Sequence, residues 1–179
     1  MSNLIEQPLA QVAKALLRRE VSSAELVGDA LSRHERLGAG LNAYKDVDEP
    51  AARSAARLAD DLLASGAGGP LCGIPVSVKD LCGVEGMPTF AGTARRLPPS
   101  WETDAWLVRR LRDQGAVFVG KTHTVELAFG AVGINPHWGT PRNPWDAAEA
   151  RIPGGSSCGA AVSLWEGSAL VALGSDTGG

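Results

Sequence analysis

Gly115-Ala116-Val117-Phe118-Val119-Gly120 is an unbroken apolar run closed by glycine at both ends. A strand with one face in water alternates apolar and polar residues. This run does not, and so reads as a strand buried on both faces. Just upstream, residues 104–113 place Ala105, Val108 and Leu111 on one helical face, with Thr103 as the cap. Two more runs have strand texture. Ile74-Pro75-Val76-Ser77-Val78-Lys79 is β-branched and follows Gly73, and a proline is tolerated near a strand's start. Leu170-Val171-Ala172-Leu173 is the other. Helices alternating with buried strands predict an α/β sheet core covered by helices.

The residues ahead of this core read as helices. Leu9, Val12, Ala13, Leu16 and Leu17 share one face, and Arg18-Arg19 suits the C-terminal end. Ser22-Ser23-Ala24-Glu25 has capping-box spacing. Val27, Ala30, Leu31 and His34 then form the stripe of a second helix, predicted to end near Gly38 and Gly40. His34 reads as a histidine at the core's edge rather than a ligand or base. Leu41-Asn42-Ala43-Tyr44 is expected as a short strand. Ala52, Ala55, Ala56, Ala59, Leu62 and Leu63 mark a third helix, closed by Gly66-Ala67-Gly68-Gly69-Pro70.

Composition narrows the class. Of 179 residues, 21% are charged and 44% apolar, as in ordinary globular domains. A net charge of −3 gives nucleic acid or an anionic membrane surface no particular attraction. The first residues contain an acid and no basic stretch, unlike a signal peptide. No apolar run approaches the roughly 20 residues that span a bilayer. Cys72, Cys82 and Cys158 are odd in number and form no Cys-x-x-Cys pair, which reads as reduced thiols in the cytoplasm.

Three segments carry candidate chemistry. Lys79 closes an apolar strand and precedes Asp80. Spacing alone leaves two readings open: the strand ends there with its charge in water, or the amine is buried. Burial disfavours the ammonium and lowers a lysine's pKa from about 10.4, which makes a general base. Gly154-Gly155-Ser156-Ser157-Cys158-Gly159 leads into a helix of small residues. It allows a tight turn, or a phosphate cradle at a helix N-terminus, although no Gly-Lys-Ser/Thr follows as a P-loop requires. Gly174-Ser175-Asp176-Thr177-Gly178-Gly179 offers consecutive backbone donors, suited either to a plain turn or to an oxyanion hole. Cys158 as nucleophile wants a histidine base, and neither His123 nor His137 stands in a Cys/His pattern. The same three residues match no metal-ligand spacing.

Together, Gly73-x-Pro75-x-x-x-Lys79-Asp80, the Gly154–Gly159 loop and the Asp176-Thr177-Gly178-Gly179 run resemble the amidase signature family, serine amidohydrolases built around a Ser–cis-Ser–Lys triad. The likeness extends over residues 8–179. It takes in Val21–Leu26, Leu41–Ala43, the 104–122 unit with Gly120-Lys121-Thr122, and Asn143-Pro144-Trp145-Asp146. It implies a mixed sheet in that family's fold. It also implies that residues 1–179 are the N-terminal portion of one amidase domain, with a helical lead-in over 1–69 and the start of the catalytic core over 70–179. The fold would then be incomplete at residue 179 and this portion inactive alone.

The resemblance assigns roles. Lys79 is the base and Ser156 the bridging serine, joined to Gly155 by a cis peptide, with Ser157 in support. Thr177, Gly178 and Gly179 form the oxyanion hole, and the nucleophilic serine is expected at position 180. Ser175 and Asp176 are given no catalytic part. Lys121 lacks the Gly-x-Pro setting of Lys79. Cys158 departs from the usual glycine or serine and reads as a small structural residue. Glu126 resembles a family position without an evident role.

The implied function is hydrolysis of linear amides with no cofactor and no metal. The implied partners are a small-molecule amide and the remainder of the polypeptide, with room for a homodimer and no part for nucleic acid or membrane. Two rivals remain. One is the glutaminase subunit of a glutamyl-tRNA amidotransferase, although Phe129–Thr140 looks more like the stand-alone amidases. The other is a non-catalytic binding module on the same fold.

Overall fold

The computed structural model describes residues 4–146 and 148–178. Helices α1 (Leu9–Leu17) and α2 (Ser23–Leu41) come first, then strand β1 (Tyr44–Val47) and helix α3 (Glu49–Ala64). Strand β2 (Pro75–Lys79), helix α4 (Trp106–Asp113) and strand β3 (Val117–Thr122) follow, and helix α5 (Cys158–Glu166) and strand β4 (Val171–Leu173) complete the order. The four strands form one sheet in the order β1-β3-β2-β4. β2 runs parallel to β3 and β4, while β1 is antiparallel to β3, so the sheet is mixed. The protein is α/β, with helices packed on this sheet. Among the described residues no helix is long and apolar enough to cross a membrane.

The centre of the sheet is sealed. Every residue of β2 and β3 is buried, and Val76, Val78, Val117 and Val119 are 0% exposed. Around them Val12, Leu16, Val27, Ala30, Ala52 and Ala56 form one continuous apolar core. β1 comes so close to β3 that a Cβ at Gly120 would stand 2.3 Å from the Asp46 carbonyl oxygen, so only glycine fits there.

Most elements stand where hydrophobic periodicity puts them, and the ends differ for local reasons. The Ser22 hydroxyl accepts from the Glu25 N–H at 3.1 Å, and the Glu25 carboxylate accepts from the Ser22 N–H at 2.9 Å, which closes the capping box of α2. That helix does not stop at Gly38 or Gly40. It continues to Leu41 and ends on Asn42, whose left-handed φ of 52° presents its N–H to the Gly38 carbonyl. Gly38 serves packing instead: a Cβ there would lie 2.6 Å from the His34 ring. The longer helix displaces the expected strand from 41–44 to Tyr44–Val47. Helix α4 begins at Trp106 with Ala105 at its cap and no side-chain cap bond. Thr103 donates to the Ser100 carbonyl instead, and Asp104 is bound by Arg112.

Ser22→Ala removes one half of the capping box and leaves an orphan N–H. It is expected to lower unfolding free energy by about 1 kcal/mol in urea denaturation followed by circular dichroism. An unchanged midpoint would discount the cap.

Candidate active site

Lys79 ends β2 and is 0% exposed. Its Nζ lies 2.6 Å from Ser156 Oγ, 2.9 Å from Ser175 Oγ and 3.4 Å from the Ser175 carbonyl oxygen. Burial pushes the ammonium below its usual range, and the Cys158 and Cys82 sulfurs and the Asp176 carboxylate offset this only in part. A neutral amine has two N–H donors and one lone pair. Both the Ser156 and the Ser175 hydroxyls lie within hydrogen-bonding reach of this amine.

Ser156 reaches this position from the loop ahead of α5. The Gly155–Ser156 peptide is cis, and Gly154 has a positive φ of 80°. The Ser156 carbonyl accepts from the Val125 N–H at 3.1 Å. The start of α5 is locked onto the end of β3, where the Gly159 N–H donates to the His123 carbonyl at 3.0 Å. A Cβ on Gly159 would stand 2.1 Å from the Ala43 carbonyl oxygen, so the helix sits this low on the sheet only because that residue is glycine. On the same face, the Ser77 and Ser163 hydroxyls meet at 2.8 Å between β2 and α5.

The segment after β4 supplies the third wall. β4 pairs with β2 in register Val78↔Leu173, so the chain leaving β4 runs past the end of β2, where Lys79 lies. Ser175 therefore meets the amine. Sequence reasoning gave Ser175 no role, because its proximity depends on which strands are neighbours. Ser157 reaches Lys79 through Ser175: its Oγ accepts from the Ser175 N–H at 3.2 Å and lies 3.3 Å from the Ser175 carbonyl. Thr177 and Gly178 line the cleft beside Ser156. The Gly178 N–H donates to Asp176 Oδ1 at 3.1 Å. Gly179, the last expected oxyanion donor, lies outside the described residues. The cleft measures about 690 Å³, and Phe129 and Gly130 also line it.

Among the described residues no hydrogen bond joins the other candidates to the Lys79 amine or the Ser156 hydroxyl. Cys158 is buried with its sulfur 3.3 Å from the His123 carbonyl, and burial pushes the thiol up to about 11. Burial also drives His123 down to about 4, and its Nε2 faces Asn42 Oδ1 at 3.2 Å. His137 and Glu126 pair at 3.2 Å on the surface. His34 Nδ1 meets the buried Glu166 carboxylate at 2.8 Å, with its ring edge-on to Tyr44. Lys121 is also fully buried, but it contacts Asp80 at 2.9 Å. Among the described residues no cluster of three or more His, Cys, Asp or Glu is placed to hold a metal.

A buried lysine amine thus touches a loop serine, with a glycine-rich turn lining the cleft beside them. The sequence model of the family described as Amidase matches residues 25–179. The chain belongs to the amidase family. The 2-amino-5-chloromuconic acid deaminase of Comamonas testosteroni is 54% identical over 178 residues, covering 99% of this chain and 38% of that protein. The A subunit of the glutamyl-tRNA(Gln) amidotransferase from an Azoarcus strain is 42% identical, covering 98% of this chain and 36% of its own. Among solved structures, an amidase superposes with a TM-score of 0.87 at 41% identity, over 96% of this chain and 39% of its own. The native peptide amidase of Stenotrophomonas maltophilia gives 0.78 at 34% identity, over 88% and 34%. The chain thus spans little more than a third of the length of these relatives.

With a thiol pKa of about 11, Cys158 holds little thiolate near pH 8. Its alkylation by iodoacetamide at that pH is expected to be at least about 100-fold slower in the folded protein than in denaturant. Rapid labelling of Cys158, read by peptide mass spectrometry, would return it to consideration as a nucleophile.

Proposed function

We propose that the polypeptide carrying this chain is an amide hydrolase working through an acyl-enzyme, with Lys79 as base and Ser156 as proton bridge. The observation behind this reading is the 2.6 Å contact between a fully buried Lys79 amine and the Ser156 hydroxyl. Asp80, the carboxylate next in sequence, is committed to Lys121, so Lys79 meets hydroxyl and carbonyl oxygens.

The relay follows from this geometry. Neutral Lys79 takes the proton of Ser156, and Ser156 takes the proton of a serine expected directly after Gly179. That serine attacks the amide carbonyl carbon. Backbone N–H groups of Thr177, Gly178 and Gly179 hold the resulting oxyanion, and the Gly178 N–H gives up Asp176 to do so. One lost oxyanion donor typically costs about 2.7–4 kcal/mol of transition-state stabilisation. The proton returns through Ser156 to the departing nitrogen as the C–N bond breaks. Water then attacks the acyl ester by the same route and releases the acid. The sequence of steps needs neither metal nor cofactor.

Residues 1–69 act as a helical lead-in and residues 70–179 as the start of the catalytic core in a single domain that the rest of the polypeptide completes. The substrate is a small amide and the setting the cytoplasm. The likeness to a small-molecule deaminase favours ammonia as leaving group and a stand-alone enzyme. A second reading, the glutaminase component of an amidotransferase, draws on the amidotransferase relatives. Ammonia release from small amides without a partner supports the first; release from glutamine only with one supports the second. A fluorophosphonate probe tests for the nucleophile, and a folded full-length protein that does not label would be a binding module.

Lys79→Ala is expected to lower kcat of the full-length polypeptide by orders of magnitude with its circular dichroism unchanged. Because the free amine is the active form, kcat/KM should rise with pH through the Lys79 pKa and level off below the 10.5 of an ordinary lysine. Near-normal turnover in the variant, or an acid limb at or above that value, would remove Lys79 from the mechanism.

A further inference from the structure

Two lysines are buried at adjacent positions of this sheet with opposite partners. Lys121 pairs in register with Val78, and Thr122 with Lys79, so Lys121 and Lys79 point to opposite faces. Lys121 meets three oxygens: its Nζ donates to Asp80 Oδ1 and Thr89 Oγ1, each at 2.9 Å, and faces the Pro88 carbonyl at 3.5 Å. Asp80 is 1% exposed and also accepts from the Phe90 N–H. Asp80 directly follows Lys79, and its backbone N–H donates to the Thr122 carbonyl at 3.0 Å.

We propose that Lys121 and Asp80 are positioning residues for Lys79: the pair compensates a carboxylate buried just behind the catalytic amine and so keeps that amine free for Ser156. The inference rests on the reading of Lys79 as base. Burial pushes the Asp80 carboxyl up and Lys121 holds it ionised; while ionised, an uncompensated Asp80 would favour an ammonium at Lys79 across one strand, where screening by water is weak. With Lys121 in place the two charges cancel at Lys79. The pair also fixes geometry. It pins residues 88–90, the Ala91 carbonyl next to them accepts from the Leu127 N–H at 2.8 Å, and the Val125 N–H beside that turn holds the Ser156 carbonyl.

The other charged or titratable groups here are few. Lys79 is faced by Cys82 after β2, Cys158 on α5 and Asp176 after β4. Asp80 and Lys121 are faced by Lys45 from β1, Cys82 and Glu102 ahead of α4. His123, further along from β3, is near Lys45. The variants below leave all of these in place.

The test titrates Lys79 by NMR in the full-length polypeptide carrying 13Cε-labelled lysine, with its signal identified by loss in Lys79→Arg, alongside the acid limb of kcat/KM. Lys121→Met should raise the Lys79 midpoint, by about one pH unit where Asp80 stays ionised, the size expected of one uncompensated charge nearby at an effective dielectric constant of about 20. Asp80→Asn, which leaves Lys121 uncompensated, should lower it. The double variant Asp80→Asn/Lys121→Met should return it to the wild-type value. A purely structural pair would change stability in both single variants and leave the midpoint alone. If Lys121→Met does not fold, wild type, Asp80→Asn and the double variant still decide the matter. Coincident midpoints in all folded variants would overturn the pair's role and leave Lys79 as base. An ordinary lysine midpoint in the wild type would overturn both.

Discussion

An amine sealed from water whose hydrogen-bond partners, among the described residues, are hydroxyl and carbonyl oxygens is the constraint that organises this chain. Burial makes the ammonium costly, and a carboxylate partner would repay that cost and fix the charge. Lys79 has no such contact within hydrogen-bonding reach among its described partners: it meets Ser156 and Ser175. Lys121, one strand away and equally buried, has Asp80. The same side chain in the same sheet is thus held in two electrostatic conditions, and the difference lies in the polar atom supplied to each.

Supplying hydroxyls to Lys79 takes three distant stretches. β2 carries the amine, the α5 lead-in carries Ser156, and the chain beyond β4 carries Ser175. They converge because β2, β3 and β4 are parallel and their C-terminal ends lie together. Ligand sites in open α/β sheets gather at that end for the same reason. Close approach of backbones tightens the arrangement. Gly120 admits β1, and Gly159 lets α5 settle onto the strand ends, so two absent side chains bring the loop serine within reach of the strand lysine.

Much of this was legible in the sequence. The 115–120 run announced a strand buried on both faces and the 74–79 run a strand, Ser22 and Glu25 announced a helix start, and alanine periodicity announced α3. Lys79 and Ser156 were singled out by motif, and the structure places them in contact. What was not legible depended on tertiary context. Gly38 and Gly40 looked like a helix end, but Gly38 makes room for the His34 ring, and the left-handed Asn42 ends the helix instead. Thr103 looked like a cap, but the chain turns into α4 at Ala105. Ser175 looked incidental because only the β2–β4 pairing brings it to Lys79. The Lys121–Asp80 pair was hidden because its members are 41 positions apart.

A cluster of contacts around Lys45 ties β1 to the loops carrying Phe90 and Trp138. Lys45 Nζ sits 4.2 Å from the centre of the Phe90 ring and 3.8 Å from that of Trp138, while the Trp138 indole N–H donates to the Thr93 carbonyl at 2.8 Å. A cation held against aromatic faces is attracted at van der Waals range, where dissolved ions cannot come between. Concentrated brine is thus expected to loosen the exposed Arg–Glu pairs of this surface before it loosens such a latch.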